Sequence, residues 1–371
     1  MDTLNAIALA GPILYFLLVA LSFYLIFRDI KAHARSPRRP VHWLYGALVV
    51  ISFVHTFTWI LAHFKQSQLH NSRLRSRPSV LLAIPYVHIQ GNLGVNLDIK
   101  EHSTTGGWRI FAFLQLEHGP FSLFRKASRK RKGLANLWAY MFIAEFVAVS
   151  TASALFYLAV SLRTPKPHPI PSKKKDDDIN ATLPPDQEAL APAMLTIPVL
   201  LALFAISTTP SPESPEFITN ILIIHLLLFI PVLPSPVWTT KPRFLNIPSS
   251  TVFFATTALA LVLRLQSTLS TAVMLENVSI MEFLESAIGV LHTSPAMATF
   301  GWDTIWTTVA FLVWHIFGDG STSPNVQMFI PMATSTVALG VSFSAPLALG
   351  NVVNEILSKE DIKEDQNLPT S

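Results

Sequence analysis

Cysteine is absent from the 371-residue chain, which excludes disulfides, thiolate metal sites, iron–sulfur clusters and cysteine nucleophiles together. Charge is scarce as well. Only 13% of residues are Asp, Glu, Lys or Arg, about half the share of roughly 25% in a soluble globular domain. No lysine falls inside an apolar run, which argues against a retinal-type Schiff base. There is no Gly-x-x-x-x-Gly-Lys loop and no Gly-x-Ser-x-Gly elbow, so nucleotide hydrolysis and serine-hydrolase chemistry have no support. His55, His63, His225 and His315 are scattered among separate apolar runs. They lack the close spacing of a di-iron or zinc site, and no metal is expected. No internal repeat is visible, which counts against inverted-repeat transporter folds.

What the chain has in abundance is hydrophobic length. Half of its residues are hydrophobic, and they gather in runs about long enough to cross a bilayer, roughly 18 to 24 residues each. These are Ala6 to Phe27, His42 to Ala62, Leu134 to Leu162, Leu190 to Thr208, Phe217 to Leu233, Thr251 to Ser270, Ala298 to Phe317 and Met328 to Gly350. The short alternating segments of a barrel are missing, so each run can satisfy its backbone hydrogen bonds only as a helix. The expected fold class is all-α, a polytopic transmembrane helix bundle of about eight spans. A ninth is added if the aromatic stretch Trp108 to Phe124 crosses the membrane rather than lying in a long loop or re-entrant segment. The basic clusters Arg28 to Arg39 and Arg125 to Lys132 suit anionic lipid headgroups beside a span rather than nucleic acid. Gly11-Pro12, Pro198, Pro331 and Pro346 lie inside spans, where neighbouring helices can satisfy the carbonyls that proline frees.

Composition divides the chain further. Residues 1–163 carry the N-terminal spans and a long basic loop, 164–189 form a Pro-rich charged linker, 190–350 form a C-terminal helix bundle, and 351–371 are a polar acidic tail. Within the linker, Asn180-Ala181-Thr182 is a candidate N-glycosylation sequon. The run Asp176 to Asp178 sits among lysines and prolines and so does not read as a magnesium-diphosphate motif.

Ionisable groups inside apolar runs are the informative ones, because each costs about 2.5 to 3.5 kcal/mol at mid-bilayer on insertion scales. Two carboxylates stand out. Glu145 lies in Leu137-Trp138-Ala139-Tyr140-Met141-Phe142-Ile143-Ala144-Glu145-Phe146-Val147, and Asp303 in Gly301-Trp302-Asp303-Thr304-Ile305-Trp306. A carboxyl group in an apolar setting can remain protonated near neutral pH and act as a proton donor. Each also has a structural alternative: pairing with a histidine or with Arg264 to lock helices together, or, for Asp303, capping a helix. Trp138, Tyr140, Trp302 and Trp306 surround the acids in sequence, and aromatic faces of this kind can stabilise a carbocation. Glu276, Glu282 and Glu285 fall on an amphipathic segment just before the Asp303 span and read as a solvated face.

The stretch His292-Thr293-Ser294-Pro295-Ala296-Met297-Ala298-Thr299-Phe300-Gly301-Trp302-Asp303-Thr304-Ile305-Trp306, continuing to Trp314 and a further apolar span, resembles fungal integral membrane terpene cyclases of meroterpenoid biosynthesis. The ascochlorin and ascofuranone cyclases are of this type. The resemblance covers about the last quarter of the chain and the number of spans. It implies a cofactor-independent isomerase of the endoplasmic reticulum membrane, acting on a lipophilic prenylated small molecule. A carboxylic acid protonates an epoxide or terminal alkene, and the cation then cyclises. The resemblance makes Glu145 and Asp303 the acid and base candidates, with Trp138, Tyr140, Trp302 and Trp306 lining the cavity. The insertion Lys65 to Gly133 and the Pro-rich linker depart from the compact members of that family. The alternative is a multi-span transporter or a non-catalytic membrane scaffold, in which the same acids relay protons or hold helices together.

Overall fold

The structure, a computed structural model, describes residues 3–33, 40–73, 134, 136–162, 190–191, 193–210, 214–230, 247–274, 279–292, 294–317 and 326–350. Trp108 to Phe124, Asn180, the linker and the acidic tail lie outside the described residues.

The described chain is all-α apart from one two-residue strand pair. In chain order the helices are α1 (Thr3–His33), α2 (Pro40–Arg73), α3 (Leu137–Phe146), α4 (Val149–Ser161), α5 (Ala193–Ser207), α6 (Glu216–Phe229), α7 (Ser249–Met274), α8 (Ile280–Leu291), α9 (Pro295–Phe317) and α10 (Val326–Leu339). A further helical segment, Val341–Gly350, follows α10. Among the described residues two stretches are long and apolar enough to cross a membrane, Ile13–Ala32 within α1 and Pro40–His63 within α2. Further apolar helical stretches, Leu137–Phe146, Val149–Ser161, Thr196–Ser207, Glu216–Phe229, Ser250–Gln266, Phe329–Leu339 and Val341–Gly350, are shorter, from 10 to 17 residues.

Every expected span therefore contains helix, but two are broken. Met328 to Gly350 divides at Gly340, whose φ of +92° is a left-handed conformation that glycine adopts without a Cβ penalty. Leu134 to Leu162 divides between α3 and α4, although no glycine or proline occurs in it. Val147 and Ala148 leave helical geometry, with Ala148 extended at φ −164° and ψ 131°. Ile143 O accepts both Val147 N and Ala148 N at 2.9 Å, so one carbonyl closes the end of α3. Tertiary contacts, described below, satisfy the groups that the break frees.

α4 is the centre of the bundle. All of its residues but Leu158 are buried, and α2, α3 and α9 pack around it. Its small residues Ser150, Ala152, Ser153 and Ala154 permit this close approach of backbones. Ser52 Oγ of α2 and Thr151 Oγ1 of α4 share a hydrogen bond of 3.1 Å at the same interface. On the other side of α3 lies the α5–α6 hairpin, with α7 packed on α5. Leu190 pairs with Pro248 and Ala191 with Ile247, so α5 and α7 set out from the same end of the bundle. Asn220 Nδ2 donates to Ala205 O and Thr209 Oγ1 at 3.1 and 3.0 Å and ties the hairpin turn.

The starts of α8 and α9 follow local rules. Ser279 and Glu282 form a reciprocal capping box, Ser279 N donating to Glu282 Oε2 at 2.8 Å and Glu282 N to Ser279 Oγ at 3.2 Å. Ser294 accepts Met297 N at 3.2 Å ahead of Pro295, the expected pairing of a serine cap with a proline in the first helical position. Between these helices Gly301 sits directly under Leu291, where a Cβ would overlap the leucine Cδ2 atom.

Candidate functional site

Glu145 stands on the last turn of α3 with its side chain fully buried, and His225 of α6 meets it. Nε2 of His225 lies 3.3 Å from Glu145 Oε2, with side-chain exposures of 12% and 0%. His225 Nδ1 is 2.7 Å from the carbonyl of Ile221, one turn earlier on its own helix. A carbonyl only accepts, so Nδ1 carries a proton and Nε2 faces the carboxyl. The contact is then either a carboxylic acid donating to a neutral imidazole or a carboxylate receiving from an imidazolium. Burial of an uncompensated charge is costly, so the neutral total is favoured, with one proton held between the two groups. Phe146 covers the pair, its ring 6.4 Å from His225 and 6.2 Å from Phe229, and Phe142 packs on Phe146 at 4.7 Å.

Asp303 occupies the other side of the same helix break. From α9 its Oδ2 accepts Val149 N and its Oδ1 accepts Ser150 N, both at 2.9 Å, and Ser150 Oγ also donates to Oδ1. Asp303 is thus the cap of α4, supplied in trans because the residue at the capping position is Ala148 and makes no side-chain bond. A carboxylate is well suited to this place, where unpaired amides and the helix dipole both favour an anion. At the end of α3, Tyr15 Oη of α1 donates to Phe146 O at 2.7 Å. The structure therefore brings Glu145 and Asp303 to one discontinuity but gives them different partners, His225 for one and the α4 amides for the other.

The four aromatic candidates fall into two settings. Tyr140 is fully buried and meets Phe156 of α4 edge-on at 5.8 Å, and Trp138 is half-buried against the core. Trp302 and Trp306 instead face α2, one turn apart. Trp302 lies against His55 at 4.6 Å between centroids, and Trp306 Nε1 donates to His55 Nδ1 at 3.1 Å. Trp302 also contacts His292, and His292 contacts Trp59.

A cleft opens between α4, α9 and the segment 341–350, bordered by Val149, Ser153, Tyr157, Thr307, Phe311 and Val341. It begins beside the amide that Asp303 holds. Its free interior is about that of a single water, so a prenyl chain requires the helices to part. Among the described residues no three histidine or carboxylate side chains gather as a metal site.

His225, His55, Tyr15 and Ser150 were not singled out from sequence as site residues. For His225 a signal exists: it is the one ionisable side chain between Phe217 and Leu233, the same criterion that marks Glu145. Which histidine meets which acid is a matter of helix packing. Comparison of the chain with protein families, with curated proteins and with solved structures finds no match in any of the three.

Proposed function

We propose that this protein is a multi-pass membrane enzyme, a cofactor-independent terpene cyclase in which Glu145 is the acid. The observation that carries this reading is the Glu145–His225 pair, whose carboxyl is fully buried and whose imidazole is largely so, set in an apolar, aromatic environment. Membrane residence is supported by the outward faces of the helices. Leu17, Val54, Phe204, Leu226, Phe254 and Val337 are all exposed, more apolar surface than a water-facing helix bundle leaves open. α3 and α4 have 10 and 13 residues, and laid end to end they reach about 35 Å, enough for a bilayer core of ~30 Å. They then act as one broken span.

In the proposed reaction the Glu145 proton passes to the oxygen of a terminal epoxide or to the terminal alkene carbon of a prenylated phenol. A neighbouring π bond attacks the resulting cation and closes a ring. Loss of a proton or capture by the substrate's own hydroxyl ends the reaction, so the product has the mass of the substrate. His225 accepts the returning proton or shares it with Glu145. Exclusion of water protects the cation. Both oxygens of Asp303 are occupied by α4 donors, so its role is to position the helix break. Residence in the endoplasmic reticulum membrane belongs to the same proposal.

A second reading has its own support. Transporters build their mid-membrane sites at broken spans whose half-helix N-termini face an anion, and α4 begins in the same way, its first amides facing Asp303. One experiment separates the two. Microsomes bearing the wild type, Glu145→Gln or Asp303→Asn are incubated with a farnesylated phenol and its terminal epoxide, and products are followed by mass. A cyclised isomer from wild type that disappears in Glu145→Gln is the expected result. No isomer from wild type, together with proton uptake into vesicles, overturns the cyclase in favour of transport.

A further inference from the structure

We infer that residues 326–350 form a re-entrant hairpin whose second limb, 341–350, is the moving wall of the cleft beside α4 and α9 and swings about Gly340. The two limbs meet at Gly340, where φ is +92°, and across this turn Thr336 Oγ1 and Ser344 Oγ share a hydrogen bond of 2.6 Å. Eight residues of straight helix would hold them about 12 Å apart along the axis, so the chain doubles back. α10 has 14 residues and the returning limb ten. These rise about 21 and 15 Å, and neither crosses a bilayer core of ~30 Å. Thr336 and Ser344 are both buried, and a re-entrant turn inside a membrane needs such cover by protein.

One wall of the cleft is held more loosely than the others. α4 and α9 are joined through the Asp303 carboxylate, which accepts Val149 N and Ser150 N, and α4 is tied to α2 by the Ser52–Thr151 bond. Among the described residues no hydrogen bond joins 341–350 to α4 or α9. Its face in the cleft is Val341, Ala345 and Leu349, one residue per turn, set against Val149, Ser153 and Phe311. Two of these three side chains are short, so parting the wall exposes little apolar area. Within the limb, Pro346 lacks the N–H that would bond the Ser342 carbonyl, and Val341 N and Ser342 N have no acceptor among the described residues. Ser153 is buried and its hydroxyl likewise has no hydrogen bond among the described residues, so the wall can leave α4 without breaking one. Two devices hold the closed position. The Thr336–Ser344 bond fixes the angle at the hinge, and Gly350 is seated against Phe253 of α7, where a Cβ would come within 3.1 Å of the ring.

The hinge stands on this geometry alone; that its opening admits the substrate rests on the cyclase reading. Its test uses the full chain in detergent micelles, where the absence of cysteine makes Ser153→Cys the single thiol. N-ethylmaleimide is larger than the closed cleft, whose free interior is about that of one water, so its rate of reaction reads the opening. Ala139→Cys, fully buried on α3, is the control for general loosening. Adding Thr336→Val should speed the Ser153→Cys reaction about tenfold, equivalent to roughly 1.4 kcal/mol. Adding Gly350→Ala instead should also speed it, and neither change should alter the rate at Ala139→Cys. One Ser153→Cys rate in all three backgrounds, or a rise matched at Ala139→Cys, overturns the proposal. The expected rates with no cyclised product from wild type keep the hinge and remove the cyclase, whereas product from a wild type whose rates show no hinge does the reverse.

Discussion

Asp303 of α9 caps α4 by accepting the backbone N–H groups of Val149 and Ser150, each at 2.9 Å, across 154 and 153 residues of chain. The break between α3 and α4 is therefore held by a tertiary contact rather than by a local breaker. If Asp303 is removed, nothing in the sequence from Leu134 to Leu162 opposes a continuous helix.

Asp303→Ala accordingly leaves two buried amides without acceptors, a loss of about 1 to 3 kcal/mol for each unless the chain rearranges. The natural rearrangement is fusion of α3 and α4. The cysteine-free chain permits spin labels at Phe142→Cys and Leu158→Cys without background, and the interlabel distance should move toward the ~24 Å of an uninterrupted sixteen-residue rise. Asp303→Asn keeps one acceptor and should shift the distance less. An unchanged distance in Asp303→Ala rules out the in-trans cap as the cause of the break.

Removing one partner of the Glu145–His225 pair should be costly in a graded way. His225→Ala strands a buried carboxyl and is expected to lower stability by about 3 kcal/mol. Glu145→Gln supplies an amide N–H to the neutral imidazole and should lose well under half of that, while abolishing proton donation. Unfolding of the purified protein measures both, and a double-mutant cycle isolates the coupling. Coupling indistinguishable from zero contradicts a functional pair.

Gly301 and Leu291 test the seat of α8 on α9. The Cβ of Gly301→Ala overlaps only the tip of the leucine side chain, which can rotate, so a loss of about 1 kcal/mol is expected, rising to about 3 kcal/mol for Gly301→Val. Leu291→Ala in the same chain should recover most of the valine penalty. Failure to recover it places the obstruction elsewhere.

The α8 start should be sensitive to acid. Bonds from the Ser279 backbone N–H and, secondarily, its hydroxyl hold Glu282 below the ordinary carboxylate range. A depressed folded value means that the contribution is complete above the unfolded carboxylate pKa and is lost as pH falls through the folded one. Protection of the first α8 amides, measured by hydrogen exchange corrected for intrinsic rates, should therefore drop in acid below the usual glutamate range. Glu282→Gln, which keeps an acceptor but does not titrate, should remove that dependence, and an identical acid profile in the variant assigns it to another group.

Much of this architecture was legible in the residues. Apolar length marks each helix, and the scarcity of charge singles out Glu145 and Asp303. The serine and glutamate of the capping box announce α8, and Ser294-Pro295 announces α9. Gly340 is a local reason for the division after α10. The α3–α4 break was not legible, because its cause lies on another helix.

Composition and apolar length by themselves point to helices that carry Glu145 and Asp303 inside apolar runs, since an apolar backbone segment can satisfy its hydrogen bonds alone only as a helix. Only the tertiary structure decides what those carboxylates do. Packing sets α6 so that His225 rather than another histidine meets Glu145, and sets α9 so that Asp303 reaches the α4 amides while its neighbour Trp302 faces α2. Partner choice depends on how helices distant in sequence are rotated against each other, and that rotation is fixed by side-chain packing across the whole bundle.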